Sequence, residues 1–192
     1  MAPNLSEEEI DDLIYFARAG EVADLNETIE TLSSREGVTP AEILIAAKDE
    51  GKSTCLHMAT GNGNLEVIKV LVAHFADRTK EEKQAYLDAT NEFGNTGVHW
   101  AAMQGHLDVV KYLVAEGASP ALANDKNYVP LDLASFNDKN DVVDYFLSQM
   151  DKMETEAGDE GLENAAEGMK LGEGEDVTMQ AGEAKEKEAG SS

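Results

Sequence analysis

Residues 94–114 read GNTGVHWAAMQGHLDVVKYLV, and the stretch returns upstream at 51–72 as GKSTCLHMATGNGNLEVIKVLV and, more weakly, downstream at 127–147 as NYVPLDLASFNDKNDVVDYFL. His57 and His99 stand 42 residues apart, and His99 and Asp132 stand 33 apart. A short helix pair cannot bury its own apolar face, so a unit that recurs at such a period is stable only when stacked on copies of itself. The repetition predicts a solenoid.

The middle copy carries Thr96, Val98, His99 and Ala101, and the copy before it Thr54, Leu56, His57 and Ala59. Cys55 and Gly97 occupy the place of a proline that the third copy supplies as Pro130, while that copy has Val129 and Asp132 where threonine and histidine stood. This T-x-L-H-x-A pattern resembles the ankyrin repeat. Spanning roughly residues 7 to 150, the resemblance implies a domain over 1–150 that is an all-α solenoid of about four helix pairs joined by β-hairpin loops.

Gly51, Gly94 and Asn127 fall at the predicted hairpin tips, where a positive backbone φ is cheapest for glycine. The threonine beyond each tip suits a helix N-cap, and the histidine can bond back toward the hairpin. The second helices show the 3.6-residue apolar period, as Leu65, Ile68, Leu71 and Val72, then Leu107, Val110, Leu113 and Val114, then Val142, Val143, Phe146 and Leu147. The same register carried backward makes Glu7 to Ser33 a first, degenerate pair, opened by the capping box of Ser6 and Glu9. Two insertions, near 34–48 and 76–90, interrupt the period. Thr39, Pro40 and Glu42 start a helix in the first, Thr79 and Glu82 start one in the second, and both insertions read as spacers.

With 15 basic and 39 acidic residues the formal charge is −24. The last 42 residues, 151–192, hold 13 acids against 4 bases and no aromatic side chain, the composition of a disordered tail. A field this negative repels phosphates and favours cationic partners, which argues against direct nucleic-acid binding. No long apolar span or secretory leader is evident, so the chain is expected inside the cell and off the membrane. The patterns at Asn4 and Asn26 that match glycosylation acceptors are then chance matches. The single Cys55 excludes an internal disulfide.

Cys55 lies two residues from His57, yet no third group or oxyanion pocket is positioned with them, and no His, Cys or carboxylate spacing fits a metal site. No enzyme activity, cofactor or metal is expected. In an ankyrin stack the hairpin tips and first helices line a concave face, and the places equivalent to the residue after the motif histidine are Tyr15, Met58, Trp100 and Leu133. Three residues on, Met103 and Phe136 extend the stripe in the last two units. Asp11, Asp49, Glu50, Glu92 and Asp125 flank it, with Phe93 and Tyr128 at the tips. An apolar strip between acids complements a segment bearing Lys and Arg.

The degenerate first pair with Ala17 to Gly20, the expanded second unit, the GNTGVHWA segment and the acidic tail make the whole chain similar to a fungal family of ankyrin-repeat chaperones dedicated to the small-subunit ribosomal protein S-three. That resemblance implies a monomer that binds the client's basic N-terminal segment and escorts it from cytoplasm to nucleus. An ankyrin scaffold or inhibitor that occludes a signalling or transcription factor would have the same fold.

Overall fold

The computed structural model describes residues 2–152. The expectation of a disordered tail therefore lies, from residue 153 on, outside the described residues. The chain divides into two units, Met1–Gln149 and Met150–Ser192, and the first holds the repeats. In chain order the helices are α1 (Glu7–Ala19), α2 (Val22–Glu36), α3 (Pro40–Ala46), α4 (Cys55–Asn62), α5 (Leu65–Ala73), α6 (Lys80–Leu87), α7 (Gly97–Gln104), α8 (Leu107–Ala115) and α9 (Pro130–Phe136). A last helix, α10, begins at residue 140.

Helices α1, α4, α7 and α9 form one row, each packed on the next, while α2, α5 and α8 pack behind them. Glycines in the left-handed region end three of the first helices, Gly20 at φ 86°, Gly63 at 72° and Gly105 at 84°. Leu13, Leu56, Val98 and Ala134 of the first row share one continuous core with Leu25, Ile68, Leu71, Val110 and Leu113 of the second and with Val142 of α10. Leu147, expected on the buried side of α10, is instead 47% exposed. Among the described residues no further repeat follows α10.

The hairpins are tight turns. Asp49 N–H bonds Ser53 O at 3.0 Å, Asn91 N–H bonds Asn95 O at 3.0 Å and Asn124 N–H bonds Tyr128 O at 2.9 Å. Among the described residues the only strand-like pairing is an antiparallel bridge between Lys48 and Thr54. The left-handed residues are Lys52 (φ 60°), Gly94 (73°) and Asn127 (61°), so Gly51 is not the tip residue it was expected to be. The register counts from the first residue of each turn, since Lys52, Gly94 and Asn127 all donate to the carbonyl three residues back. Successive tips are also tied together: Glu92 N–H bonds Gly51 O at 2.8 Å, and Asp125 N–H bonds Phe93 O at 3.2 Å.

Each motif histidine is a buried bridge. His57 Nδ1 accepts from Thr54 N–H at 3.1 Å while Nε2 lies 2.9 Å from the carbonyl of Asn95. His99 does the same between Thr96 N–H, at 3.1 Å, and the carbonyl of Tyr128, at 3.1 Å. A carbonyl only accepts, so Nε2 carries the proton and Nδ1 is bare. In the third copy Asp132 Oδ2 accepts from Val129 N–H at 3.0 Å, replacing one arm of the bridge.

Burial lowers the pKa of both histidines, and of His74, below the ordinary value. The unfolded chain then binds protons that the folded chain refuses, and stability falls as pH drops below about 6.5. We expect the melting temperature to decline between pH 7 and 5.5, with the ring signals of His57 and His99 still those of neutral imidazole at pH 6. Ordinary titration of both rings near pH 6.5 in the folded protein would contradict this.

The insertions are more than spacers. Tyr86 and Leu87 of α6 are buried, and Tyr86 stacks on Phe75 with centroids 4.4 Å apart. Ala41, Ile43 and Leu44 bury α3 in the same core. Arg78 joins the insertions, 3.3 Å from Glu42 and 3.8 Å from Glu82, and also touches Thr39 Oγ1. At the start of the chain Arg35 clasps Glu9 and Glu36, and its guanidinium holds the Glu9 carboxyl down at about 2.

Candidate functional site

The first-row helices and the three tips line one face of the stack, and two separate clefts open on it. The larger, about 530 Å³, is lined by Glu7, Ile10, Asp11, Lys48, Asp49, Glu50 and Gly51. Helix α1 contributes Glu7, Ile10 and Asp11, and the first tip contributes Asp49 and Glu50. Glu92 leans in from the second tip: a Cβ on Gly51 would lie 3.4 Å from both Asp49 Oδ1 and Glu92 Oε1. None of these carboxylates forms an ion pair with a described residue. Their mutual repulsion is relieved by an incoming cation.

The smaller cleft, about 240 Å³, lies at the other end, lined by Phe93, Asn95, Met103, Asn124, Asp125, Lys126, Tyr128 and Leu133. Phe93 is 59% exposed and Phe136 63%, and the Phe136 ring meets Tyr128 edge to face at 5.1 Å. Exposed aromatic rings around an apolar recess are what a protein interface anchors on. The walls are rigid because Asn124 Nδ2 donates to Asn95 Oδ1 at 2.8 Å and Asn124 Oδ1 receives the amides of Lys126 and Tyr128.

The stripe expected from the repeat register is only partly a surface. Tyr15 is 57% exposed, but Met58 is 5% exposed and belongs to the core. Helix α4 is sandwiched between α1 and α7, and Arg18 reaches over it to place a guanidinium nitrogen 3.1 Å from the Met58 sulfur. Trp100 is half-buried, its ring lying on Gly61 so closely that a Cβ there would stand 2.6 Å from Trp100 Cε3. It also meets His57 edge to face at 6.4 Å. Leu133 and Met103 are partly buried in the smaller cleft, while Asp11, Glu50, Glu92 and Asp125 are exposed and Asp49 is half-buried.

Sequence reasoning did not single out Asn95, Asn124 or Lys126. The signal was present in the turn pattern, where Asn91 and Asn124 stand at the same place. The Cys55 thiol is wholly buried and its pKa is pushed up to about 12 by desolvation. Both ring nitrogens of His57 are engaged by the fold, so this pair is not arranged for nucleophilic attack. Among the described residues no His, Cys, Asp and Glu side chains gather as a metal site, and no helix is long and apolar enough to cross a membrane.

These features define a class before any particular relative: a stacked repeat protein presenting a sculpted face for another macromolecule. The family model for the ankyrin repeat matches residues 52–82, and the one for ankyrin repeats in three copies matches residues 83–156. The chain belongs to the ankyrin-repeat family. It is 35% identical over 186 residues to the ankyrin repeat-containing protein YAR1 of Saccharomyces cerevisiae, a match covering 94% of this chain and 90% of that protein. Among solved structures, a chain of the yeast ribosomal protein Rps3 in complex with its chaperone Yar1 matches with a TM-score of 0.69 and 34% identity, over 76% of this chain and 95% of that one.

Proposed function

We propose that this chain is a dedicated chaperone of the small-subunit ribosomal protein S3. It takes the newly made protein on its first-row face, keeps it soluble in the cytoplasm and accompanies it to the nucleus for subunit assembly. The observation that carries the reading is the 35% identity to YAR1 over 186 residues, a span longer than the repeats themselves. The likeness to a chain of the Rps3–Yar1 complex supports the same partner. The chain acts by binding alone, and ribosomal RNA supplies the competing negative charge for release.

The physics of the face fits a strongly basic client that aggregates and binds RNA indiscriminately before assembly. Unpaired carboxylates draw such a client in and repel nucleic acid, whereas buried aromatic contacts set how long it stays. Affinity capture with the full chain should return S3 as the main stoichiometric partner, and co-expression should keep S3 soluble. A kinase or transcription factor returned in its place would replace this client with the scaffold reading.

Salt separates the two contributions. Raising it from about 0.1 M to 0.5 M should slow association by about tenfold or more and change dissociation little. The opposite pattern in stopped-flow traces would mean that charge holds the complex together.

A further inference from the structure

We infer that the client-binding face is polarised: the cationic end of the bound segment lies at the first tip and α1, and its apolar anchor lies between the second and third tips. The inference rests on the chaperone reading and adds to it the direction in which the client lies. The two clefts share no lining residue. One gathers Glu7, Asp11, Asp49 and Glu50 against the single cation Lys48, with Glu92 alongside. The other offers Phe93, Met103, Tyr128 and Leu133, with one acid, Asp125, balanced by Lys126.

Charge complementarity therefore acts at one end only. At the acidic end a lysine or arginine finds carboxylates that outnumber Lys48 and form no ion pair with a described residue, and an apolar side chain gains little. At the aromatic end an apolar side chain fills a recess, and a lysine finds no net negative charge, since Lys126 offsets Asp125. A segment whose basic and apolar residues are segregated along its length fits in one direction and is opposed in the other. The occupant is thus a basic segment with an apolar end, in place of one with charges spread evenly around it.

Photo-crosslinking of the full chain with S3 tests the direction. With Glu50→benzoylphenylalanine the crosslinks should fall in a Lys/Arg-rich part of S3, and with Phe136→benzoylphenylalanine in an apolar part of the same segment. Kinetics supply an independent arm. D11K with E50K, both exposed, should slow association about tenfold and leave dissociation nearly unchanged. F93A with F136A should speed dissociation at least tenfold. Neutralising the crosslinked basic residues of S3 should abolish the first effect and spare the second. Crosslinks from both positions to the same S3 residues, or kinetic effects that respond equally to that neutralisation, overturn the polarity and leave the chaperone reading standing. No crosslink to S3 from either position, together with no capture of S3, overturns the chaperone reading and the polarity with it.

Discussion

His57→Ala should lower the melting temperature by about 6–20 °C, among the larger stability losses expected of a single truncation in the stack. The ring is fully buried and joins its own repeat to the next, through Thr54 N–H on one side and the Asn95 carbonyl on the other. Removing it leaves both groups without partners at about 1–3 kcal/mol each and opens a cavity, so the total is about 3–5 kcal/mol. For a chain of this size each kcal/mol moves the midpoint by about 2–4 °C. Because each repeat is supported only by its neighbours, the transition should also broaden as the stack loses cooperativity between α4 and α7. A midpoint within 3 °C of the parent protein in calorimetry would show that the bridge contributes nothing.

Trp100→Ala should weaken S3 binding by about 30-fold or more while costing only about 1–3 kcal/mol of stability. The ring is half in the core and half on the binding face, where it lies over Gly61. Its Nε1–H is shut from water with no hydrogen-bond partner among the described residues. Truncation therefore removes a desolvation penalty along with the packing, which limits the stability loss. Gly61→Ala serves as the companion variant: it keeps the indole and forces it off its seat, and it should also weaken binding. Calorimetric titration with S3 alongside thermal melts separates the effects, and unchanged affinity in both variants would remove Trp100 from the binding face.

The helical skeleton was legible because it depends on local chemistry. The capping boxes at Ser6, Thr39 and Thr79 form as their sequences dictate, and Gly20, Gly63 and Gly105 end helices because they adopt positive φ. Met58 was misread for a different reason. Periodicity tells which side of a helix faces which way, but not that a long side chain 40 residues earlier, Arg18, lies across that side. Gly51 drew the first tip one residue out of register, where the conformational burden in fact falls on Lys52. The aromatic cleft was visible residue by residue in Phe93, Met103, Tyr128 and Leu133. Its convergence was not, since it depends on the Asn95–Asn124 bond between residues 29 apart.

The ties between successive tips limit how any partner can be read. Glu92 and Asp125 direct their amide hydrogens at the preceding turn, so neither amide is free to template an added β-strand. Recognition along it falls to side chains, which favours a ligand whose own backbone is already satisfied, such as a helix. Slow amide exchange at both positions, unchanged when the ligand docks, is the signature this arrangement should leave.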